Sequence, residues 1–196
     1  SMLREMRDAA GDSGEFYTPR PVVRFMVQAT NPRLGEVVLD PACGTGGFLV
    51  ESFSHLEKQC KTVEDRMILQ ERSIQASEAK PLPYLLSQMN LLLHGMEFPG
   101  ITYGNSLAKP LNEIGDRDRV DIVLTNPPFG KKSSITIVNG EGKADRETLV
   151  YERQDFWATT SNKQLNFLQH VKTILKINGK CAIVVPDNVL FEGGSG

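Results

Sequence analysis

Apolar residues along this chain fall into two patterns, spaced sets and short unbroken blocks. Val22, Val23, Met26 and Val27 recur at three-to-four-residue spacing, which puts them on one face of a helix. Thr18-Pro19-Arg20-Pro21 reads as the start of that helix, with Thr18 as N-cap and proline in the first turn, and Asn31-Pro32 as its stop. Residues 37–40 (VVLD) form an apolar block that predicts a strand. It runs into Pro41-Ala42-Cys43-Gly44-Thr45-Gly46-Gly47, after which residues 48–58 read as helical. Strand, glycine-rich turn and helix form the opening unit of a doubly wound α/β fold.

The alternation continues downstream. Charged residues 61–72 predict a second helix or an extension of the first, and residues 73–77 a strand ending on Glu78. Residues 81–94 predict a helix with Leu85, Leu86, Met89, Leu92 and Leu93 on its apolar face and Gly95 as C-cap. Residues 101–103 are a weak strand before Gly104-Asn105-Ser106. Residues 120–125 (VDIVLT) predict a strong buried strand that delivers Asn126-Pro127-Pro128-Phe129. Residues 130–160 are long and polar, and a loop of that length is usually functional or disordered. Residues 162–176 return to helical period, and residues 181–185 (CAIVV) predict another buried strand. About five strands alternating with helices give an α/β domain with a mostly parallel sheet.

Composition narrows the classes. The 196 residues suffice for one domain with a sizeable core, and 40% hydrophobic with 23% charged residues is ordinary for a globular protein. No apolar run approaches the roughly 18 residues of a membrane helix, and the first residues carry no secretory signal, so no membrane role is expected and the cytoplasm is the expected location. Cys43, Cys60 and Cys181 are an odd number without metal-ligand spacing and read as reduced thiols; His55, His94 and His170 are scattered, and no metal site is expected. Net charge is 22 − 24 = −2. That is not the basic footprint of a chain that grips DNA by itself, so a DNA substrate would need phosphate contacts from another chain.

Two places carry chemistry. The turn from Asp40 to Gly47 lets backbone approach a ligand closely, and the helix behind it presents free amides. The carboxylate, sulfonium and ribose of S-adenosylmethionine can lie across such a turn, with Glu78 holding the ribose hydroxyls. A tight turn and a surface acid are the bland alternatives. Asn126-Pro127-Pro128-Phe129 is the sharper signal. Two prolines stiffen the strand end, and an Asn oxygen with a proline carbonyl can accept both hydrogens of an exocyclic amine. Phe129 offers a face on which an extruded base can stack. No general base is required, because the amine can attack an activated methyl group first and lose its proton later.

Phe16-Tyr17-Thr18-Pro19-Arg20, the turn from Asp40 through Phe48, Met89-Asn90 through Gly95, and Asn126-Pro127-Pro128-Phe129-Gly130 together resemble the modification subunit of type I restriction–modification systems. These are adenine-N6 DNA methyltransferases. The resemblance implies a Rossmann-like methyltransferase fold using S-adenosylmethionine. It implies cofactor contacts from Phe16, Tyr17, Thr18, Pro19, Asp40, Pro41, Gly44, Thr45, Gly46, Glu78, Asn105 and Ser106, and target-base contacts from Asn126, Pro127, Pro128 and Phe129. Asn105 stands where the family usually has Asp, and Phe191 matches a stretch near the end of the fifth strand. The implied partners are DNA, a specificity subunit, a restriction subunit and a second modification subunit. Against that family, residues 1–14 read as a linker-like N-terminal remnant and residues 15–196 as a C-terminally truncated catalytic domain without the family's helical domain ahead of it. The same Asn-Pro-Pro-aromatic element also serves protein-glutamine and RNA methyltransferases, usually with Tyr fourth. A non-catalytic cofactor-binding or assembly module is the alternative of a different class.

Overall fold

The computed structural model describes residues 17–128, 133–138, 144–149 and 153–190. In chain order the elements are α1 (Arg20–Thr30), β1 (Val38–Asp40), α2 (Gly47–Glu57), α3 (Val63–Arg72), β2 (Ile74–Glu78), α4 (Pro81–Leu93), β3 (Gly100–Tyr103), β4 (Val120–Thr125), β5 (Ser133–Val138), β6 (Ala144–Leu149), α5 (Lys163–Ile174) and β7 (Leu175–Ile183). Five strands form a parallel sheet in the order β3-β2-β1-β4-β7. The strand order reverses at β1, whose neighbours are β2 and β4. In open α/β sheets the crevice beyond the strand ends at this switch point is where ligands bind.

Alternation along β4 builds both faces of the core. Ile122 and Leu124 join Val27, Leu49, Phe53 and Leu56 on one side. Val123 joins Leu39, Val171 and Ile174 on the other. Such a strand, buried on both faces, reads as the unbroken apolar block seen in the sequence.

Several boundaries differ from expectation. Thr18 does not cap α1: Pro19 holds the N-cap position, and no side chain caps the helix. The Thr18 hydroxyl is engaged elsewhere, with Asn126. Residues 61–72 form a separate helix with a capping box, in which Thr62 and Asp65 each accept from the other's backbone amide (3.1 and 2.9 Å). The stretch 130–160 is not simply a loop, because β5 and β6 pair antiparallel within it. α5 ends at Ile174 and β7 starts at once, two residues before the expected helix end. Its pairing with β4 jumps from Val120↔Leu175 to Ile122↔Lys180, around Asn178 at φ 66. β7 is the outer strand of the described sheet and mostly half-exposed or exposed, not buried as residues 181–185 suggest.

α4 carries the largest discrepancy. Its buried residues are Ser87 and Leu91, whereas Leu82, Leu85, Met89, Leu92 and Leu93 face outward. The helix is apolar almost all round, so spacing alone does not say which side packs. Ser87 packs because it is small: a Cβ built on Gly46 would sit 3.3 Å from the Ser87 Cβ. Leu91→Ala is therefore expected to cost about 3 kcal/mol in a urea melt. Leu85→Lys and Leu92→Lys should each stay within about 0.5 kcal/mol. Losses for the two lysine variants as large as that of Leu91→Ala would put the leucine face in the core after all.

Candidate active site at the ends of β1, β2 and β4

The glycine-rich turn is built by backbone bonds and two left-handed glycines. Gly44 has φ +54 and Gly46 φ +83, and the Gly46 amide donates to the Cys43 carbonyl (2.8 Å). Both conformations suit glycine, which has no Cβ to clash. Nothing lies within 4 Å of where a Gly44 Cβ would project. The Cys43 amide ties the turn to β2 through the Ser77 carbonyl (3.1 Å).

Two carboxylates flank the turn. Glu78, nearly buried at the end of β2, accepts from the Gly44 amide through Oε2 and from the Lys80 amide through Oε1, both at 2.8 Å. Asp40, at the end of β1, is 1% exposed, and its Oδ1 accepts from the Ala42 amide (3.0 Å). Burial, with the Glu78 carboxylate adding to it, pushes the Asp40 carboxyl from its ordinary 3.8 up to about 7. A carboxyl with so raised a pKa beside an open turn suits a cationic ligand, which would favour its ionised form. The Cys43 thiol is driven well above the usual thiol range by burial and the Asp40 charge, so it is no nucleophile.

Gly104-Asn105-Ser106 closes over the other side. Asn105 Oδ1 accepts from the Leu107 amide (3.1 Å), and the Ser106 hydroxyl donates to the Pro41 carbonyl (2.7 Å). The second bond joins the expected Asn105–Ser106 segment to the glycine turn. At the end of β4, Asn126 is half-buried, Pro127 buried and Pro128 half-buried. Asn126 Nδ2 donates to the Thr18 Oγ1 at 2.8 Å, across 108 residues of sequence. The structure thus gathers Asp40, Pro41, Gly44, Glu78 and Ser106 around one turn and pairs Thr18 with Asn126. Tyr17 is largely exposed. Phe16, Phe129 and Phe191 lie outside the described residues.

Sequence reasoning assigned no role to two groups that shape the site. Asn90 Nδ2 donates to the Thr45 carbonyl (2.9 Å), and Ser87 backs Gly46. They are three residues apart on one face of α4, a polar pair inside a leucine-rich helix, and that was the available signal. Behind β4, Arg153 donates to both Asp155 oxygens (3.0 and 2.7 Å) and to His170 Nδ1 (3.1 Å). Burial and the Arg153 charge hold His170 down at about 4, so the ring is a neutral acceptor. Gln169 exchanges hydrogen bonds with both backbone groups of Ala158 (2.8 and 3.1 Å). These bonds fasten residues 153–158 along α5, which itself packs against the Ser106–Ala108 turn. Among the described residues no helix is long and apolar enough to cross a membrane.

Known proteins share this architecture. A type I restriction enzyme methylase subunit of Escherichia coli, EcoEI, is 43% identical over 98% of this chain, which spans 36% of that protein. The StySPI methylase subunit of Salmonella potsdam is 34% identical, and the chain spans 35% of it. The chain therefore covers little more than a third of these curated relatives. A crystallised modification subunit from Vibrio vulnificus YJ016 is 58% identical with a TM-score of 0.80, over 99% of this chain and 39% of that one. The crystallised EcoKI M protein superposes with a TM-score of 0.75 at 34% identity, over 93% of this chain and 36% of that one. The family model described as N-6 DNA methylase matches residues 1–196. With its turn, strand order and Asn-Pro-Pro end of β4, the chain belongs to the N-6 DNA methylase family.

Proposed function

We propose that the polypeptide containing this chain transfers a methyl group from S-adenosylmethionine to the N6 amine of adenine in DNA, in the cytoplasm, as the modification subunit of a type I restriction–modification complex. Its partners in this reading are DNA, a specificity subunit, a second modification subunit and a restriction subunit. The single observation that carries it is the placement of Asn126 and Pro127 at the end of β4, next to β1 and its glycine turn.

The residues present suit the cofactor. Nothing lies within 4 Å of where a Gly44 Cβ would project, and the carboxyls of Asp40 and Glu78 flank that turn. Asp40 would face the ligand's cationic groups, Glu78 its ribose, and Asn105 and Ser106 its adenine side; Tyr17, Pro19, Pro41, Thr45 and, by sequence, Phe16 would complete the walls. When bound, S-adenosylmethionine supplies a methyl group already activated on sulfur. Asn126 Oδ1 and the Pro127 carbonyl would accept the two hydrogens of the target amine, turning its lone pair out of the ring plane. Pro127 and Pro128 keep that edge rigid, and Phe129 would stack on the extruded base. The amine would form its bond to the methyl group as the sulfur–carbon bond breaks and lose its proton afterwards to solvent, so these residues would act by positioning and no side chain needs to act as base. Glu78 must keep spare acceptor capacity while holding the Gly44 and Lys80 amides, and a carboxylate with about four lone-pair sites has it.

The −2 charge fits a subunit that leaves most phosphate contacts to another chain. The direct test reads base modifications in the DNA of cells expressing the full polypeptide with its specificity partner. N6-methyladenine at one recurring sequence is expected; modified cytosine alone, or none, would sink the proposal.

A further inference from the structure

The aromatic-Thr-Pro segment ahead of α1 does more than wall a cofactor site. Thr18 is half-buried and set on a fixed frame. The next carbonyl, that of Pro19, accepts from the Val22 and Val23 amides (2.9 and 3.1 Å), locking the segment to the first turn of α1. α1 in turn buries Val23, Met26 and Val27 and packs against α2, β4 and β7. Lys180 of β7 bonds the far end of α1 at the Thr30 carbonyl (3.0 Å). The Thr18 hydroxyl is therefore placed by the core, and it receives the Asn126 Nδ2 hydrogen.

That bond matters because of what Asn126 must do. Strand β4 fixes its backbone, with Leu124 and Thr125 fully buried before it. Its carboxamide, however, hangs on a soft sp³–sp² torsion with a broad range of rotations. Only rotations that turn Oδ1 to the target amine are productive. A hydroxyl bonded to the nitrogen end of the carboxamide limits that rotation and leaves the oxygen end directed elsewhere.

We propose that Thr18 is a positioning residue for methyl transfer: it holds the Asn126 carboxamide in the rotation that presents its oxygen to the amine. This rests on the reading of Asn126 as the amine-binding residue. It also gives the Thr18 hydroxyl a role apart from both helix capping and cofactor contact. The aromatic-Thr-Pro segment and the Asn-Pro-Pro segment then form one unit, although 108 residues separate Thr18 from Asn126.

The test uses the complete methylase with its specificity partner. Thr18→Val keeps the shape and removes the hydroxyl. It is expected to lower kcat roughly 10- to 100-fold, with KM for DNA and Kd for S-adenosylhomocysteine within about twofold. Thr18→Ser keeps the hydroxyl and should recover kcat to within about threefold of the parent. In an Asn126→Ala background, Thr18→Val should cause no further loss, because the group it positions is gone. A fall in S-adenosylhomocysteine affinity that matches the fall in kcat would make Thr18 a cofactor residue and overturn the proposal. Unchanged kcat in Thr18→Val, or no recovery in Thr18→Ser, would overturn it too. If Thr18→Val does not fold by circular dichroism, Thr18→Ala and Thr18→Ser decide by the same readouts. Full activity of Asn126→Ala would instead refute the reading of Asn126, whatever the Thr18 variants do.

Discussion

Asn126→Ala in the full polypeptide containing this chain is expected to lower kcat by about 10²- to 10³-fold or more while cofactor affinity stays within about twofold. The asymmetry follows from position. The groups expected to hold the cofactor gather at β1, β2 and the Ser106 turn, through bonds from Ser106 to Pro41 and from Gly44 to Glu78. Asn126 sits across the switch point on β4, and its Nδ2 donates to Thr18 on the segment ahead of α1. Removing its carboxamide takes away an acceptor that acts when the amine nitrogen is becoming positively charged, so the loss falls on the transition state. Pro127 and Pro128 keep the strand end rigid, so the variant should fold. Isothermal titration with S-adenosylhomocysteine beside single-turnover methylation separates the two quantities. A parallel fall in affinity and rate would move Asn126 into the cofactor site.

Asp40→Asn should have the second largest effect, and it should be opposite in sign for stability and binding. The Asp40 carboxyl is raised to about 7 in the fold, against 3.8 unperturbed. Between those values the unfolded chain has released the proton and the folded chain keeps it, so stability falls as pH rises. The contribution is fully present below about pH 4 and lost by the time pH passes about 7, on the order of 4 kcal/mol in all. Asparagine mimics the protonated form and keeps an acceptor for the Ala42 amide. The variant should thus match the parent near pH 4 and be the more stable protein at pH 8, by urea melts at each pH. Cofactor binding runs the other way. A cationic ligand favours the ionised carboxyl, so affinity in the parent should climb with pH up to about 7 and then level off, with proton release on binding. In Asp40→Asn both the climb and the proton release should vanish and affinity should be lower throughout. A flat pH profile in the parent would remove Asp40 from the cofactor site. The stability given up at this position is the kind of local cost that binding sites carry.

What the sequence made legible was local. β1, the glycine turn and β4 each show an apolar block followed at once by glycine or proline punctuation, and all three lie where the pattern puts them. The parallel sense of the sheet, though not its strand order, followed from strands alternating with helices. What escaped was set by contacts distant in sequence. Thr18 satisfies the local rule for an N-cap, but a bond to Asn126 claims its hydroxyl. The packed side of α4 is chosen by the close approach of Gly46 to Ser87, and no periodicity in a nearly all-apolar helix announces that. β5 and β6 lie in a stretch that is polar overall and reads as a loop, and their antiparallel pairing does not show in its composition. In the clasp of Arg153, Asp155 and His170, Arg153 bonds Asp155 two positions on and His170 seventeen positions on, a spacing that fits no metal or catalytic motif.

In the proposed reaction, the exocyclic amine of adenine in DNA receives the methyl group at Asn126. The most direct measurement incubates the complete methylase and its specificity partner with unmethylated DNA and cofactor labelled in the methyl group, then digests everything to nucleosides and amino acids. Label should appear in N6-methyldeoxyadenosine and vanish with Asn126→Ala. Label in methylglutamine, in RNA, or in methylcytosine would contradict it.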